Sequence, residues 1–148
     1  MRKQIIGYTA GVYDMFHVGH LNLLKNAKKY CDYLVVGVNS DELTYKYKNK
    51  YPVIPLRERM EIVEAIKYVD EVVDADDVVR LDESGRVLAY ERFRPDCIII
   101  GDDHINDKRW QAVDEYLRKQ GSKVIFLPYT EHISSTKLTG KHGQKIEG

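Results

Sequence analysis

The chain is short of the features that would classify it at a glance. It has two cysteines, Cys31 and Cys97, with no paired-ligand spacing. That favours buried thiols in a reducing compartment over a disulfide framework. It has no net charge, because 23 basic residues balance 23 acidic ones. A general polyanion binder is usually basic, so composition argues against nucleic acid as a partner and leaves only a local basic site. No apolar run approaches the ~20 residues that cross a bilayer. Nothing near the N-terminus has the long apolar region of a signal peptide. The expectation is a cytoplasmic protein without a membrane partner. G-x-G-x-x-G, the P-loop and H-E-x-x-H are all missing. There is no internal repeat and no low-complexity tract.

What is present is ordinary in bulk and specific in detail. The 148 residues suffice for one domain with a real core, and 43% are hydrophobic. "QIIGY" (Gln4–Tyr8) reads as a strand that "TAG" breaks. A helix follows, with Leu21, Leu24, Ala27 and Tyr30 at helical spacing. "DYLVVGVNS" is an apolar run of strand length, suited to burial on both faces of a parallel sheet. Ser40 or Asp41 caps a helix start at "SDEL", and "YKYKNKYPVIP" reads as a loop. "LRERMEIVEAIKYV" is an amphipathic helix with Met60, Ile62, Val63 and Ile66 on one side. "DEVVDA", Cys97–Ile100 and "KVIFLP" are further strands, and "DKRWQAVDEYLRKQG" is a helix closed by Gly121. Alternating strands and helices predict an α/β fold, a doubly wound, Rossmann-like, five-stranded parallel sheet flanked by helices. Residues 1–138 form the domain and 139–148 a polar tail. Asp74–Phe93 fits this scheme poorly, and its acidic run reads as a solvated loop rather than a metal site.

In such sheets, ligands bind beyond the carboxyl ends of strands. The first of those ends carries "GVYDMFHVGH", with His17 and His20 three residues apart. Residues so spaced share a helix face. A helix N-terminus offers free N–H groups to anions, and two imidazoles there donate to phosphate oxygens. Gly11 and Gly19 let backbone approach a ligand closely. The segment is built for a phosphate chain. A zinc pair lacks an obvious third ligand, and two hydrogen-bonded core histidines are the plainer alternative.

These residues resemble the H-x-G-H signature of the cytidylyltransferase branch of the nucleotidylyltransferase superfamily. "SDEL", "KYVDEVV", "GDD" and "TEHISSTK" recur in the matching order, so the resemblance covers nearly the whole chain. The pattern is most similar to glycerol-3-phosphate cytidylyltransferases, with choline- and ethanolamine-phosphate enzymes nearby. It implies transfer of CMP from CTP to a phosphorylated small alcohol, glycerol 3-phosphate foremost, with pyrophosphate leaving and Mg²⁺ on the phosphates. Precursors of envelope or capsule polymers are the implied products. The nucleophile is already an anion, so the absence of an obvious catalytic carboxylate is no objection.

The resemblance also assigns residues. His17, His20 and Lys48 would be catalytic. Thr9, Gly11, Val12, Tyr13, Gly19, Lys50, Arg59, Gly101, Asp103, Thr130, Ile133, Ser134, Ser135 and Thr136 would bind the nucleotide. Asp41, Lys46, Lys48 and Arg80 would serve the acceptor. Asp14 would orient the loop or serve a cap or turn, Arg59 would contact phosphate or position its helix, Asp103 would hold Mg²⁺ or pin a loop, and no protein-only metal site is assigned. A homodimer near "YVDEV" is implied as well.

The chain departs from the pattern in places. Tyr129 stands for the family's usual arginine and His132 for a glycine, while Lys67 replaces an arginine and loses its planar fork. An expected tryptophan and lysine after "VDEV" have no clean match, leaving Arg80 and Arg86 as stand-ins; Trp110 is read as packing. These changes gather on the acceptor side. An adenylyltransferase on the same fold and a non-catalytic nucleotide-binding module are the competing functions.

Overall fold

Residues 3–76 and 79–128 are described by the computed structural model. Five parallel strands form one sheet in the order β3-β2-β1-β4-β5. They are β1 (Ile6–Gly11), β2 (Tyr33–Asn39), β3 (Glu71–Ala75), β4 (Cys97–Gly101) and β5 (Lys123–Leu127). The helices are α1 (Val18–Lys28), α2 (Asp41–Lys48), α3 (Leu56–Glu64), α4 (Leu88–Phe93) and α5 (Lys108–Lys119), with a single 3₁₀ turn at Asp102–His104. The doubly wound architecture is therefore as the alternation of elements predicts.

Each sheet face carries its own core. On one side Leu24 and Ala27 of α1 and Val63 of α3 close over Leu34, Val36, Val38, Cys97 and Ile99. On the other, Trp110, Val113 and Leu117 of α5 and Tyr90 of α4 cover Tyr8, Val35, Ile98 and Val124. Trp110 thus packs, as its helical position suggests.

Register is pinned by aspartates that precede strands. Asp32 accepts from the Ile5 N–H at 2.8 Å, Asp70 from Leu34 at 2.8 Å, and Asp96 from Ile6 at 2.8 Å. Each carboxylate reaches across to the neighbouring strand and satisfies a donor where the ladder begins.

Four local expectations change. Strand β1 does not stop at Tyr8 but continues to Gly11, because Thr9, Ala10 and Gly11 pair with Val36, Gly37 and Val38. A central strand with both edges available overrides the local turn signal. Helix α2 extends through Lys48, so the first half of "YKYKNKYPVIP" is helical rather than loop. Ser40 is its cap, its Oγ accepting from Leu43 N at 3.0 Å. Ile62 is 38% exposed rather than part of the buried stripe, and Tyr30 lies past the end of α1, also exposed. Residues 79–93 carry more regular structure than the composition of this stretch implies. Asp82 accepts from Ser84 and Arg86 to form a turn, and Leu81 bridges Val87. Helix α4 then buries Tyr90, with Val79 and Val87 beside it in the core.

Candidate active site at the first strand–helix junction

The strand order reverses direction between β1 and β4, which makes their carboxyl ends the expected ligand crevice. The β1–α1 loop crosses this point. Two of its non-glycine residues adopt left-handed backbone, Tyr13 at φ 55° and Met15 at φ 48°. Such conformations cost about 1–3 kcal/mol each and persist only where the surroundings impose them.

Three contacts impose them here. The Tyr13 ring is buried in the α1-side core and lies over Gly11, where an added Cβ would come within 3.2 Å of the ring. The Asp14 carboxylate accepts from Val53 N at 2.8 Å and Ile54 N at 2.9 Å, tying the loop to the segment that follows α2. Arg59 Nη1 donates to the Val12 carbonyl at 2.7 Å. Asp14 therefore sits where a loop-orienting residue should. Gly11 makes room for the Tyr13 ring, a different use from the ligand approach expected of it.

The histidines form a reciprocal cap. His17 is the N-cap of α1, and its Nδ1 accepts from Gly19 N at 3.0 Å. His20 Nδ1 accepts in turn from the His17 backbone N–H at 3.2 Å. A backbone N–H only donates, so both Nδ1 atoms must present lone pairs. In the neutral rings the proton then sits on Nε2, and both rings become Nε2–H donors. The rings stack with centroids 3.9 Å apart, and Tyr13 meets His20 edge-on at 5.4 Å. Burial lowers the His17 pKa, and burial together with the adjacent His17 lowers that of His20 to about 4, with Lys48 adding to the fall. Both are neutral at pH 7 in the free protein. Neither is a buried core histidine; both remain partly exposed. The Gly19 N–H is spent on the cap.

Arg59 takes the positioning role of the two that the resemblance implies for it. It is fully buried, and its guanidinium donates to three carbonyls, Ile54 at 2.7 Å, Val12 at 2.7 Å and Asn39 at 2.8 Å. It also pairs with Asp41 at 2.5 Å. Arg59 is thus a positioning residue joining the ends of β1 and β2 to the α2–α3 segment, and Asp41 is its counter-ion rather than an open acceptor contact. Thr9 and Tyr13 are both buried, and among the described residues their hydroxyls have no partner but each other. Burial pushes the Tyr13 phenol above the ordinary range, the neighbouring Thr9 hydroxyl drawing it back in part.

Lys46, Lys48 and Lys50 are exposed around the end of α2, where Asn49 turns the chain in the left-handed region at φ 59°. Lys48 is close enough to act on the titration of His20. Gly101 ends β4 beside Leu127, and Asp103 is exposed in the 3₁₀ turn, 3.6 Å from His104 Nε2. Arg80 is exposed, and no contact among the described residues joins it to the histidine pair. No cluster of three or more potential metal ligands occurs among the described residues. Thr130, Ile133, Ser134, Ser135 and Thr136, the Tyr129 and His132 departures and the 139–148 tail all lie outside those residues. Sequence reasoning missed one feature, the Tyr45–Tyr51 stack beside Lys48, with ring centroids 4.5 Å apart. Alternating Tyr and Lys was its visible trace.

A doubly wound sheet with a pair of fixed N–H donors at its switch point and lysines around the end of α2 defines a class of α/β proteins that handle phosphate chains. The chain belongs to the cytidylyltransferase-like family, whose model matches residues 8–141. It is 38% identical over 143 residues to the ethanolamine-phosphate cytidylyltransferase of Arabidopsis thaliana, covering 95% of this chain but 32% of that enzyme. It is 40% identical over 131 residues to the FAD synthase of Pyrococcus abyssi, covering 86% of this chain and 82% of the relative. It is 34% identical over 143 residues to the glycerol-3-phosphate cytidylyltransferase of Bacillus subtilis, covering 92% and 94%. A lipopolysaccharide core biosynthesis protein from Thermoplasma volcanium shares the fold with a TM-score of 0.68 at 26% identity, over 88% of this chain and all of the other. The chain is thus of nucleotidyltransferase stock, and no helix among the described residues is long and apolar enough to cross a membrane.

Proposed function

We propose that the protein transfers CMP from CTP to a phosphorylated small-molecule alcohol. The observation that carries this reading is the reciprocal histidine cap, which leaves two Nε2–H donors beside Lys48 at the sheet's switch point. An oxygen of the acceptor phosphate attacks the α-phosphorus in line. The bond from that phosphorus to the β-bridging oxygen breaks, and pyrophosphate departs with the electron pair. Such a reaction asks chiefly for positioning and for charge stabilisation. His17 and His20 donate to phosphate oxygens as charge builds, and Lys48 draws the two anions together. Asp14 and Arg59 act through the loop, holding its left-handed turns in place.

Mg²⁺, when bound, supplies Lewis-acid stabilisation of phosphate charge. Among the described residues no cluster would cage such an ion, so the exposed Asp103 carboxylate would be the protein group to help hold it on the nucleotide phosphates. A homodimer meeting at the β3 edge belongs to the same proposal.

Adenylyl transfer is the second reading, favoured by the FAD synthase that matches at 40% identity over most of both chains. Pyrophosphate release separates the two. CTP, ATP, UTP and GTP are each supplied with glycerol 3-phosphate, phosphocholine, phosphoethanolamine or FMN. CTP is expected to give the highest kcat/KM. Preference for ATP reverses the nucleotide assignment, and binding without release from any pair leaves a non-catalytic module.

A further inference from the structure

The end of α2 and the segment after it, which Asp14 ties to the histidine loop, leave apolar surface exposed. Tyr45, Tyr47, Tyr51 and Val53 are 44%, 46%, 61% and 72% exposed within nine residues. Single exposed aromatics are unremarkable, but a run of them next to a reactive centre asks for an occupant. Two are organised. Asn49 reverses the chain, and Tyr51 folds back onto Tyr45 with ring planes 23° apart. Stacking leaves the outer faces free. Tyr45 and Lys48 are three residues apart on α2 and share a helix face. Asp14 holds the following segment through Val53 and Ile54, so the shelf is fixed to the loop that carries the histidines. Lys46, Lys48 and Lys50 surround it with positive charge.

We infer that the Tyr45–Tyr51 stack is the acceptor subsite, which takes a phosphomonoester whose organic part presents a ring, planar or sugar-like, while Lys48 takes its phosphate. This rests on the transfer reading above and narrows its substrate. A flat face recovers contact on exposed tyrosine that a small acyclic alcohol cannot cover. Charge complementarity selects the anionic end, and the adjacent histidines place that end at the transfer site.

The test measures kcat and KM for each substrate, with FMN and glucose 1-phosphate as ring-bearing acceptors and glycerol 3-phosphate and phosphoethanolamine as acyclic ones. A ring-bearing acceptor should give the higher kcat/KM. Tyr45→Ala and Tyr51→Ala should each raise its KM about tenfold, the scale of one aromatic contact, while nucleotide KM stays within about twofold. Tyr45→Phe and Tyr51→Phe should restore acceptor KM, because the ring and not the hydroxyl does the work. Circular dichroism confirms that the alanine variants fold. Turnover of an acyclic acceptor that neither alanine variant disturbs overturns the subsite and leaves the transfer function standing. An altered sedimentation coefficient with unchanged acceptor KM gives the patch to a second copy of the chain and also overturns it. Absence of pyrophosphate release with every pair removes the function and the subsite together.

Discussion

At the scale of the residue, the decisive choice is a histidine where serine, threonine or aspartate usually caps a helix. His17 does the capping with one ring nitrogen and keeps the other for a ligand. His20 repeats the arrangement on the His17 backbone. The cap thereby becomes part of the site, and neither ring is left to rotate for lack of a partner. His17→Ala or His20→Ala should lower turnover by at least ~10²-fold, a loss typical of transition-state donors, with the far-ultraviolet spectrum unchanged. Near-normal turnover in either variant, measured by pyrophosphate release, would contradict the assigned role. That the two rings meet at one helix start was legible in the sequence, from their three-residue spacing after a strand. The direction of each ring was not, since it depends on two backbone donors that no spacing rule reveals.

At the scale of the element, α3 and the loop before it do more than cover the sheet. Arg59 sits fully buried on the first turn of α3 and gathers Val12, Asn39, Ile54 and Asp41. The family resemblance leaves this arginine to phosphate or to helix positioning. Only the packing shows that its donors are spent on carbonyls. Arg59→Lys should be a severe change, because an ammonium cannot serve this planar fork. Loss of one side of a buried, hydrogen-bonded pair typically costs ~3–5 kcal/mol, and the half-exposed Asp41 places this case toward the lower end. Urea denaturation should record that loss, and the β1–α1 loop should become more open to proteolysis. Helix α2 was misread for a related reason. Tyr and Lys alternate as they would in a solvated loop, yet the Ser40 cap and the buried Leu43 and Thr44 carry the helix through to Lys48.

At the scale of the whole molecule, the alternation of apolar runs and amphipathic stretches was enough to give five strands, their parallel sense and two faces of helices. Strand limits were less legible, because β1 owes its last residues to neighbours far away in sequence. The segment between β3 and β4 was least legible. Its charges dominate the composition, while its contribution to the core comes from scattered Val79, Val87 and Tyr90. Stability should also register the histidines. Their folded-state pKa values lie below the ordinary 6.5, with His20 near 4. On acidification the unfolded chain takes up protons first, so stability present above pH 6.5 should fall progressively toward pH 4. Urea midpoints across that range should show the decline, and His20→Gln should make it shallower.

The reciprocal cap has a metabolic consequence. At neutral pH each Nδ1 lone pair is engaged by a backbone N–H and each Nε2 already carries hydrogen, so neither ring is poised as a base. On the proposed function, a free alcohol would find no ready histidine base here to take its proton. An acceptor must arrive with its ionisation already in hand, which a phosphate ester provides. On the proposed function, the protein therefore works downstream of a kinase, and the earlier phosphorylation decides which alcohols can be activated at all.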